Sequence, residues 1–302
     1  MDSELVARPV TLDFTGVRAD WNDVHPEFAH LTNAMSTMLP HIEPFFIKSM
    51  RAAKKLLPPG ESDLKRDIDL FNFQEGRHHS NHSRFNEVIR AAYPEPVIAG
   101  EARLKRDYRA LWDRGHKFAC AYTEGFETVA PMLCDYFFEN AHRFGLDTGE
   151  PAAYLWLWHV AEEHEHRTVA NYVFAELYGD YLYRIYGILY ATWHVFSYSL
   201  PLAARIRRIS QRDMPFACRV RSRLRYTALL ASMFTTFLPH LVTRALRPGY
   251  DPADLTQPPA AKALLEEAVA RFGVAPARRQ AVNPSITRPS MSPPISTDRD
   301  AG

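Results

Sequence analysis

The first 180 residues of this 302-residue chain fall into a few long stretches in which apolar side chains recur every three or four positions. That spacing is typical of helices that bury one face, and strand-like alternation is hard to find. Proline and glycine separate the stretches, most clearly at Pro58-Pro59-Gly60 and at Gly149-Glu150-Pro151. The pattern predicts four helical blocks, with a kink at Pro131 in the third. The blocks cover about residues 45–57, 62–92, 101–143 and 151–178.

Four helices in two hairpins, joined by a longer connection at residues 93–100, predict an all-α four-helix bundle. Two later runs, 185–204 and 226–243, contain no Lys, Arg, Asp or Glu. Each carries a histidine and a proline, so we expect two additional apolar helices that cover the bundle rather than a membrane hairpin. From about residue 275 the chain is rich in Pro, Ser, Arg and Asp, which predicts a disordered C-terminal tail.

Composition excludes several kinds of partner and site. The 36 basic and 35 acidic residues give a formal charge of +1, so no global field favours nucleic acid. Three widely spaced cysteines argue against a disulfide framework or a thiolate zinc site and favour a reducing compartment. The N-terminus has no continuous apolar run of the kind found in a secretory signal. We therefore expect a cytoplasmic protein, with association to a membrane surface left open.

Histidine and glutamate are concentrated in two helical windows. In the second block Glu75, His78 and His82 lie at i, i+3 and i+7. In the fourth block the ligand-type residues His159, Glu163 and His166 lie at i, i+4 and i+7. At about 100° per residue, each set falls within an arc of about 60° on one helix face. Glu-x-x-His spacing lets a carboxylate and an imidazole one turn apart bind the same ion, and two such helices predict a dinuclear metal site.

The alternative to a metal site is that these histidines and glutamates cluster by chance on solvent-exposed helix faces. Six of the 13 histidines lie in two windows that total 17 residues, which a uniform spread would not produce. Aromatic residues before both motifs indicate burial. Phe71 precedes the first motif, and Trp156 and Trp158 precede the second. Buried charges require partners or a metal, so we favour the metal site.

The same scheme requires single glutamates from the first and third blocks. On the first block the candidate is Glu43, which we expect at the helix entrance because it precedes Pro44. On the third block Glu124 and Glu127 compete, and periodicity does not choose between them. His82 and His159 are either third ligands on their helices or groups that orient the ligands, and Glu162 and Asn86 are further candidates for the orienting role.

At these residues the sequence resembles the bacterial family of predicted metal-dependent hydrolases, whose members are similar to ferritin-like di-metal bundles. The resemblance covers about residues 30–252. It is carried by motifs that begin at Pro40, Gln74, Trp158 and Arg247. It implies a ferritin-like bundle and favours Glu124 over Glu127, although Gly125 stands where relatives are expected to have a histidine.

The expected domains follow from the motifs. We expect an N-terminal extension at residues 1–26 and a metal-binding helical domain at 27–252. Within that domain the four-helix core covers about 41–178 and the apolar helices about 181–246, and a C-terminal helix and tail occupy 253–302. The expected metal ligands are Glu43, Glu75, His78, His82, Glu124, His159, Glu163 and His166.

The donor set predicts the cofactor and the reaction class. Carboxylates and imidazoles without a thiolate suit two divalent ions, of which iron is the first expectation and Mn or Zn the alternatives. We expect O2 activation that oxidises or oxygenates a small, partly apolar substrate, with an electron donor as a further partner. The family resemblance instead implies hydrolysis by a metal-activated water. Iron storage is disfavoured by the two extra apolar segments, and a dimer is a plausible assembly.

Overall fold

The computed structural model describes residues 5–275 and is all-helical over that range, which confirms the predicted fold class. Ten α-helices lie in the described part of the chain. They are α1 (Pro26–Ser36), α2 (Leu39–Leu56), α3 (Ser62–Ala92), α4 (Pro94–Trp112), α5 (His116–Glu139), α6 (Pro151–Glu165), α7 (Val169–Leu177), α8 (Tyr181–Ser210), α9 (Phe216–His240) and α10 (Pro259–Phe272). The predicted tail from residue 275 lies almost entirely outside the described residues.

The core is a bundle of α2, α3, α5 and α6. Helix α2 packs on α3 and on α5, and α6 packs on α3 and on α5, so the four helices form a closed ring of neighbours. Helix α8 covers α5 and α1, α9 lies against α1 and α5, and α10 packs on α6. The interior of the ring is where side chains from four separate segments meet.

Three of the predicted helical blocks are wrong in their boundaries. The first block begins at Leu39 and not at about residue 45. The third block is two helices, α4 and α5, because Gly115 between them has φ of 93°, which an α-helix does not accommodate. The expected connection at 93–100 is instead the start of α4, where Pro94 occupies the first turn that tolerates proline. The fourth block divides into α6 and α7, since His166 ends α6.

Glu43 lies inside helix α2, not at its entrance as the following proline suggested. A proline within a helix leaves the carbonyl four residues earlier without its N–H donor. For Pro44 that carbonyl belongs to Pro40, and the His79 ring on α3 hydrogen-bonds it. The neighbouring helix therefore replaces the lost bond, and Glu43 keeps helical geometry with its side chain buried.

The two apolar runs lie in α8 and α9. Within residues 5–275, none of the helices is both long enough and apolar enough to cross a membrane.

Helices α5 and α8 cross at two glycines. A Cβ added to Gly187 would lie 2.2 Å from the Ala121 carbonyl oxygen, and one added to Gly125 would lie 2.6 Å from the Gly187 backbone. The two backbones are therefore in direct contact. Gly125, where the family resemblance led us to expect histidine, has no room for any side chain in this crossing.

We expect Gly187→Ala to destabilise the protein by about 3 kcal/mol, because the new methyl group meets backbone that cannot move independently of its helix. Helix propensity alone would favour alanine by about 1 kcal/mol, so the sign of the change tests the crossing. Gly76→Ala on α3 is the matched control, since a Cβ there meets nothing within 4 Å and should stabilise. Urea unfolding of both variants measures the difference, and a Gly187→Ala protein as stable as the parent would contradict the close crossing.

Candidate metal centre

Four bundle helices deliver seven ligand-type side chains to the interior of the bundle. Helix α2 contributes one carboxylate and α5 another, whereas α3 and the α6 region each contribute a Glu-x-x-His pair, and α6 adds one more histidine. All seven are buried. They are Glu43, Glu75, His78, Glu127, His159, Glu163 and His166.

The seven side chains form two adjacent groups. In each group the potential ligand atoms lie within 4.8 Å of one another. The first group contains Glu43, His78 and His159, and the second contains Glu75, Glu127, Glu163 and His166.

Glu163 lies between the two groups and faces both. Its Oε1 is 3.0 Å from His159 Nε2 and 3.5 Å from His78 Nδ1, both in the first group. Its Oε2 is 3.3 Å from His166 Nε2 in the second. One carboxylate thus directs one oxygen towards each group, so Glu163 would be able to serve as a ligand to an ion in either group.

The buried carboxylates of the cluster need either a proton or a cation. Among the described residues, neither oxygen of Glu43 nor either oxygen of Glu75 has a hydrogen-bond partner. Burial, reinforced by the charge of Glu163, raises the pKa of Glu75 well above its ordinary value, and burial does the same to the pKa of Glu43 and Glu127. Unpaired buried carboxylates are costly unless protonated or bound to a cation. The residues present therefore fit divalent metal ions.

Two of the histidines are hydrogen-bonded to polar side chains through the ring nitrogen that points away from the cluster. His78 Nε2 lies 3.1 Å from Glu162 Oε2, and His166 Nδ1 lies 2.9 Å from Gln74 Oε1. Burial acts to lower the pKa of His78, but Glu162 and Glu163 outweigh it and raise that pKa to about 9. Each ring leaves its other nitrogen facing carboxylate oxygens. A hydrogen bond at the remote nitrogen is how proteins orient imidazoles that bind metal.

The third histidine, His159, is oriented by a hydrogen-bonded chain. Asn86 donates its amide to the Ser36 carbonyl at 2.9 Å, so its Oδ1 is the acceptor for the Ser36 hydroxyl at 2.6 Å. The Ser36 Oγ then accepts from His82 Nδ1 at 2.8 Å, and His82 Nε2 accepts from His159 Nδ1 at 3.1 Å. This direction leaves the lone pair of His159 Nε2 facing Glu163, as a metal ligand requires.

The hydrogen-bonded chain distinguishes His82 from His159, the two residues that the sequence offered as third ligands. His159 lies in the first group, whereas His82 lies behind it and contacts it through a ring nitrogen. Burial lowers the pKa of His159 to about 4 and that of His82 well below its ordinary value, so both rings are neutral at pH 7. Neutral imidazole is the form that binds metal.

Glu124, favoured by the family resemblance, lies outside both groups. Its Oε1 accepts from Thr128 at 2.9 Å and Asn171 at 3.0 Å, and Arg184 Nη1 of α8 lies 3.3 Å away. Glu127 is the α5 carboxylate that the structure brings to the cluster, with Oε2 3.1 Å from His166 Nε2. The geometry therefore places Glu127, and not Glu124, among the candidate ligands. Glu124 instead has a buried arginine as its partner.

Arg8 is a buried residue of the site that sequence reasoning missed. Its guanidinium donates to Glu162 Oε1 at 3.2 Å and to both oxygens of Glu165 at 2.8 Å. Gln74 Nε2 also donates to Glu165, at 2.6 Å. Arg8 thus offsets the charge of the carboxylates that lie behind His78 and His166. No motif marks it, because it lies in the segment expected to be an extension outside the metal-binding domain.

Aromatic and apolar side chains surround the cluster. Phe71 lies edge-on to His166, with ring centroids 4.7 Å apart, and Trp156 lies 5.1 Å from His82. Phe46 contacts Phe126 at 5.0 Å, and Phe126 lines an apolar cavity of about 50 Å³.

The cavity adjoins the cluster through two helices. Its lining includes Leu39, one turn before Glu43 on α2, and Ala130, one turn after Glu127 on α5. Residues one helical turn apart are neighbours on the helix surface. An apolar molecule in the cavity would therefore lie about one helical turn from two candidate ligands along α2 and α5.

Comparison with known proteins gives one match. The sequence model of a family described as "Predicted metal-dependent hydrolase" matches residues 6–255. No curated protein and no solved structure matches at a significant level. The matched range contains all seven clustered side chains and Arg8. The chain belongs to the family of predicted metal-dependent hydrolases.

Proposed function

We propose that this protein holds two iron ions and activates O2 to oxidise or oxygenate a small, partly apolar substrate. The observation that carries the proposal is the position of Glu163, whose two oxygens face two separate groups of carboxylate and imidazole ligands. Di-iron and di-manganese bundles use the same helical scheme, with one Glu from each of two helices and Glu-x-x-His from each of the other two.

The donor set favours iron over zinc. The two groups together offer four carboxylates and three imidazoles and no thiolate. Carboxylate-rich sites with imidazole suit iron and manganese, whereas structural zinc sites favour thiolates and histidines. When bound, reduced iron would supply electrons to O2, and a separate electron donor would have to reduce the oxidised iron before the next turnover.

The chain's own residues would supply orientation, charge balance and exclusion of water. Glu162 and Gln74 fix the rings of His78 and His166, and Arg8 offsets the charge of Glu162 and Glu165. All seven clustered side chains are nearly inaccessible to solvent, so a reactive species would be shielded from water. The apolar cavity beside Glu43 and Glu127 favours a substrate with a hydrocarbon portion.

Hydrolysis is the second candidate, and the description of the family supports it. The same two ions would lower the pKa of a bound water and polarise an ester, amide or phosphoryl oxygen. A redox-inert metal would suffice for that reaction, so the identity of the active metal separates the two candidates.

One experiment decides between them. The apoprotein is loaded anaerobically with Fe(II), bound iron is quantified, and O2 is then admitted while the absorption spectrum is followed. We expect about two irons per chain and a transient absorption band that requires O2. Indifference to O2, together with ester cleavage by the zinc- or manganese-loaded protein, would replace the oxidative proposal with the hydrolytic one. A large hollow assembly on a sizing column would instead support iron storage.

A further inference from the structure

Helix α9 packs on the rest of the protein mainly through one narrow stripe of buried residues. Of its 25 residues, the buried ones recur at intervals of three and four from Ser222 onward. They are Ser222, Tyr226, Leu229, Met233 and Phe237. Outside this stripe the helix is half-buried or exposed, and Phe234 also contacts Phe196 of α8, with ring centroids 5.2 Å apart.

The far side of α9 carries a second stripe, which is apolar and exposed. At about 100° per residue its members fall within an arc of about 80°, on the side of the helix away from the buried stripe. Their exposed fractions run from 42% to 74%. They are Phe216, Val220, Leu224, Phe234 and Leu238. Between Leu224 and Phe234 the same arc holds two smaller exposed residues, Thr227 and Ala231. A helix that is apolar on its outward face needs a partner on that face.

Arginines border the exposed stripe near the start of α9. By the same angular reckoning, Arg223 lies within about 20° of one edge of the stripe, whereas Arg219 and Arg221 each lie about 60° beyond an edge, one on either side. All three are exposed. Helix α9 contains no Asp or Glu. The partner of this face must therefore be both apolar and anionic.

The positive charge extends beyond α9. Residues 181–250 contain eleven arginines and one acidic residue, Asp213, for a formal charge of +10, whereas the whole chain carries only +1. The α8–α9 region is thus strongly basic within a nearly neutral protein. Such a basic region attracts an anionic surface over a distance of about 8 Å at physiological salt.

We propose that α9 binds in the plane of an anionic phospholipid membrane surface. The stripe from Phe216 to Leu238 would enter the boundary between headgroups and acyl chains, and the flanking arginines would contact lipid phosphates. Interfacial helices have this arrangement of an apolar face beside Arg or Lys. Binding of this kind requires no spanning segment and does not depend on the reaction at the metal centre.

A membrane accounts for the surface better than two other partners do. Nucleic acid would satisfy the arginines but would leave Phe216 and Leu224 uncovered. A second copy could cover the apolar stripe, but helix α9 offers no carboxylate to meet the arginines of the other copy.

The buried stripe of α9 also reaches the apolar cavity. Met233 and Phe237 belong to the buried stripe of α9 and also line the apolar cavity beside the candidate ligands. Binding of α9 to a bilayer would therefore place this cavity next to the membrane.

The test is vesicle flotation of the full-length protein. Two vesicle compositions are compared, phosphatidylcholine alone and phosphatidylcholine with about one third phosphatidylglycerol. We expect binding to the anionic vesicles to be at least about tenfold stronger and to weaken as salt is raised. The apoprotein and the metal-loaded protein should behave alike.

Two variants test the two parts of the surface. Phe216→Ser combined with Leu224→Ser should lower vesicle binding at least about tenfold, and so should Arg219→Glu combined with Arg223→Glu. Arg225 is left unchanged because it pairs with Glu27. Each altered residue is exposed, so thermal unfolding should match that of the parent protein.

Matched controls lie on other faces of the molecule. Ile98→Ser removes an apolar side chain that is 54% exposed on α4, and Arg109→Glu reverses an exposed arginine on the same helix. Both controls should bind vesicles like the parent. Absence of binding to anionic vesicles, or equal loss in the controls, would overturn the proposal. A lipid-free dimer that the Phe216 and Leu224 double variant dissociates would also overturn it and would assign the surface to a second copy.

Discussion

Replacing Glu163 with glutamine is expected to abolish binding of both metal ions, with a loss of affinity of more than about 100-fold. A glutamine amide has one neutral acceptor where the carboxylate has two charged oxygens, so it cannot serve the two groups that Glu163 faces. Changes to groups that only orient ligands cost about 10-fold to 100-fold in metal affinity, and loss of the shared ligand should exceed that range. Metal analysis after anaerobic Fe(II) loading and dialysis measures the effect.

Two further variants make the Glu163 result specific. Glu124→Gln removes the charge of another buried glutamate on α5 but should keep metal occupancy, because Glu124 lies outside both ligand groups. His82→Ala should give an intermediate loss of about 10-fold to 100-fold, since His82 only orients His159. Circular dichroism should show unchanged helical content in all three. Full metal occupancy in Glu163→Gln would show that the ligand assignment is wrong.

The second large effect concerns how the stability of the protein depends on pH. Bound metal should reverse the direction of that dependence. Without metal, the protein should lose stability as pH rises from about 7.5, one unit above the ordinary histidine pKa, towards about 9, the pKa of His78 in the folded protein. Burial raises the pKa of Glu43, Glu75 and Glu127, so the folded apoprotein also holds protons there that the unfolded chain has already released. Stability falls with pH wherever the folded state binds more protons.

The opposing groups do not act in this pH window. Glu163, His159 and His82 have pKa values lowered in the folded state, so their stabilising contribution is nearly complete about one pH unit above the unfolded values of 4.5 for Glu and 6.5 for His. Above about pH 7.5, the groups of the cluster that change protonation are those with raised pKa values. For His78 alone, the change between about pH 7.5 and about 9 corresponds to on the order of 2 kcal/mol.

Bound metal should reverse the trend. Metal replaces protons on the same carboxylates and imidazoles, so its affinity and the stability it confers increase with pH. Urea unfolding at the two ends of the window, with a chelator and with saturating Mn(II), tests both directions. Stability of the apoprotein that rises with pH would show that the carboxylates have partners other than metal.

Much of the helical structure follows from local sequence. The second predicted block, 62–92, coincides with α3 (Ser62–Ala92), because its apolar spacing and its flanking prolines are local signals. The division between α4 and α5 was missed because a single glycine, Gly115, decides it through its backbone conformation. The interior position of Glu43 was missed because a bond from His79, on another helix, compensates for Pro44.

The sequence by itself determined that the chain is helical and that Glu75 with His78, and Glu163 with His166, share helix faces, because spacing along one helix fixes the angle between side chains. Tertiary structure decided that Glu127 and not Glu124 lies at the cluster, that His82 lies behind His159, and that Arg8 lies beside Glu162. These outcomes depend on how far each helix is rotated about its axis and how closely it crosses its neighbours. Contacts between residues distant in sequence, such as Gly125 against Gly187, set both quantities.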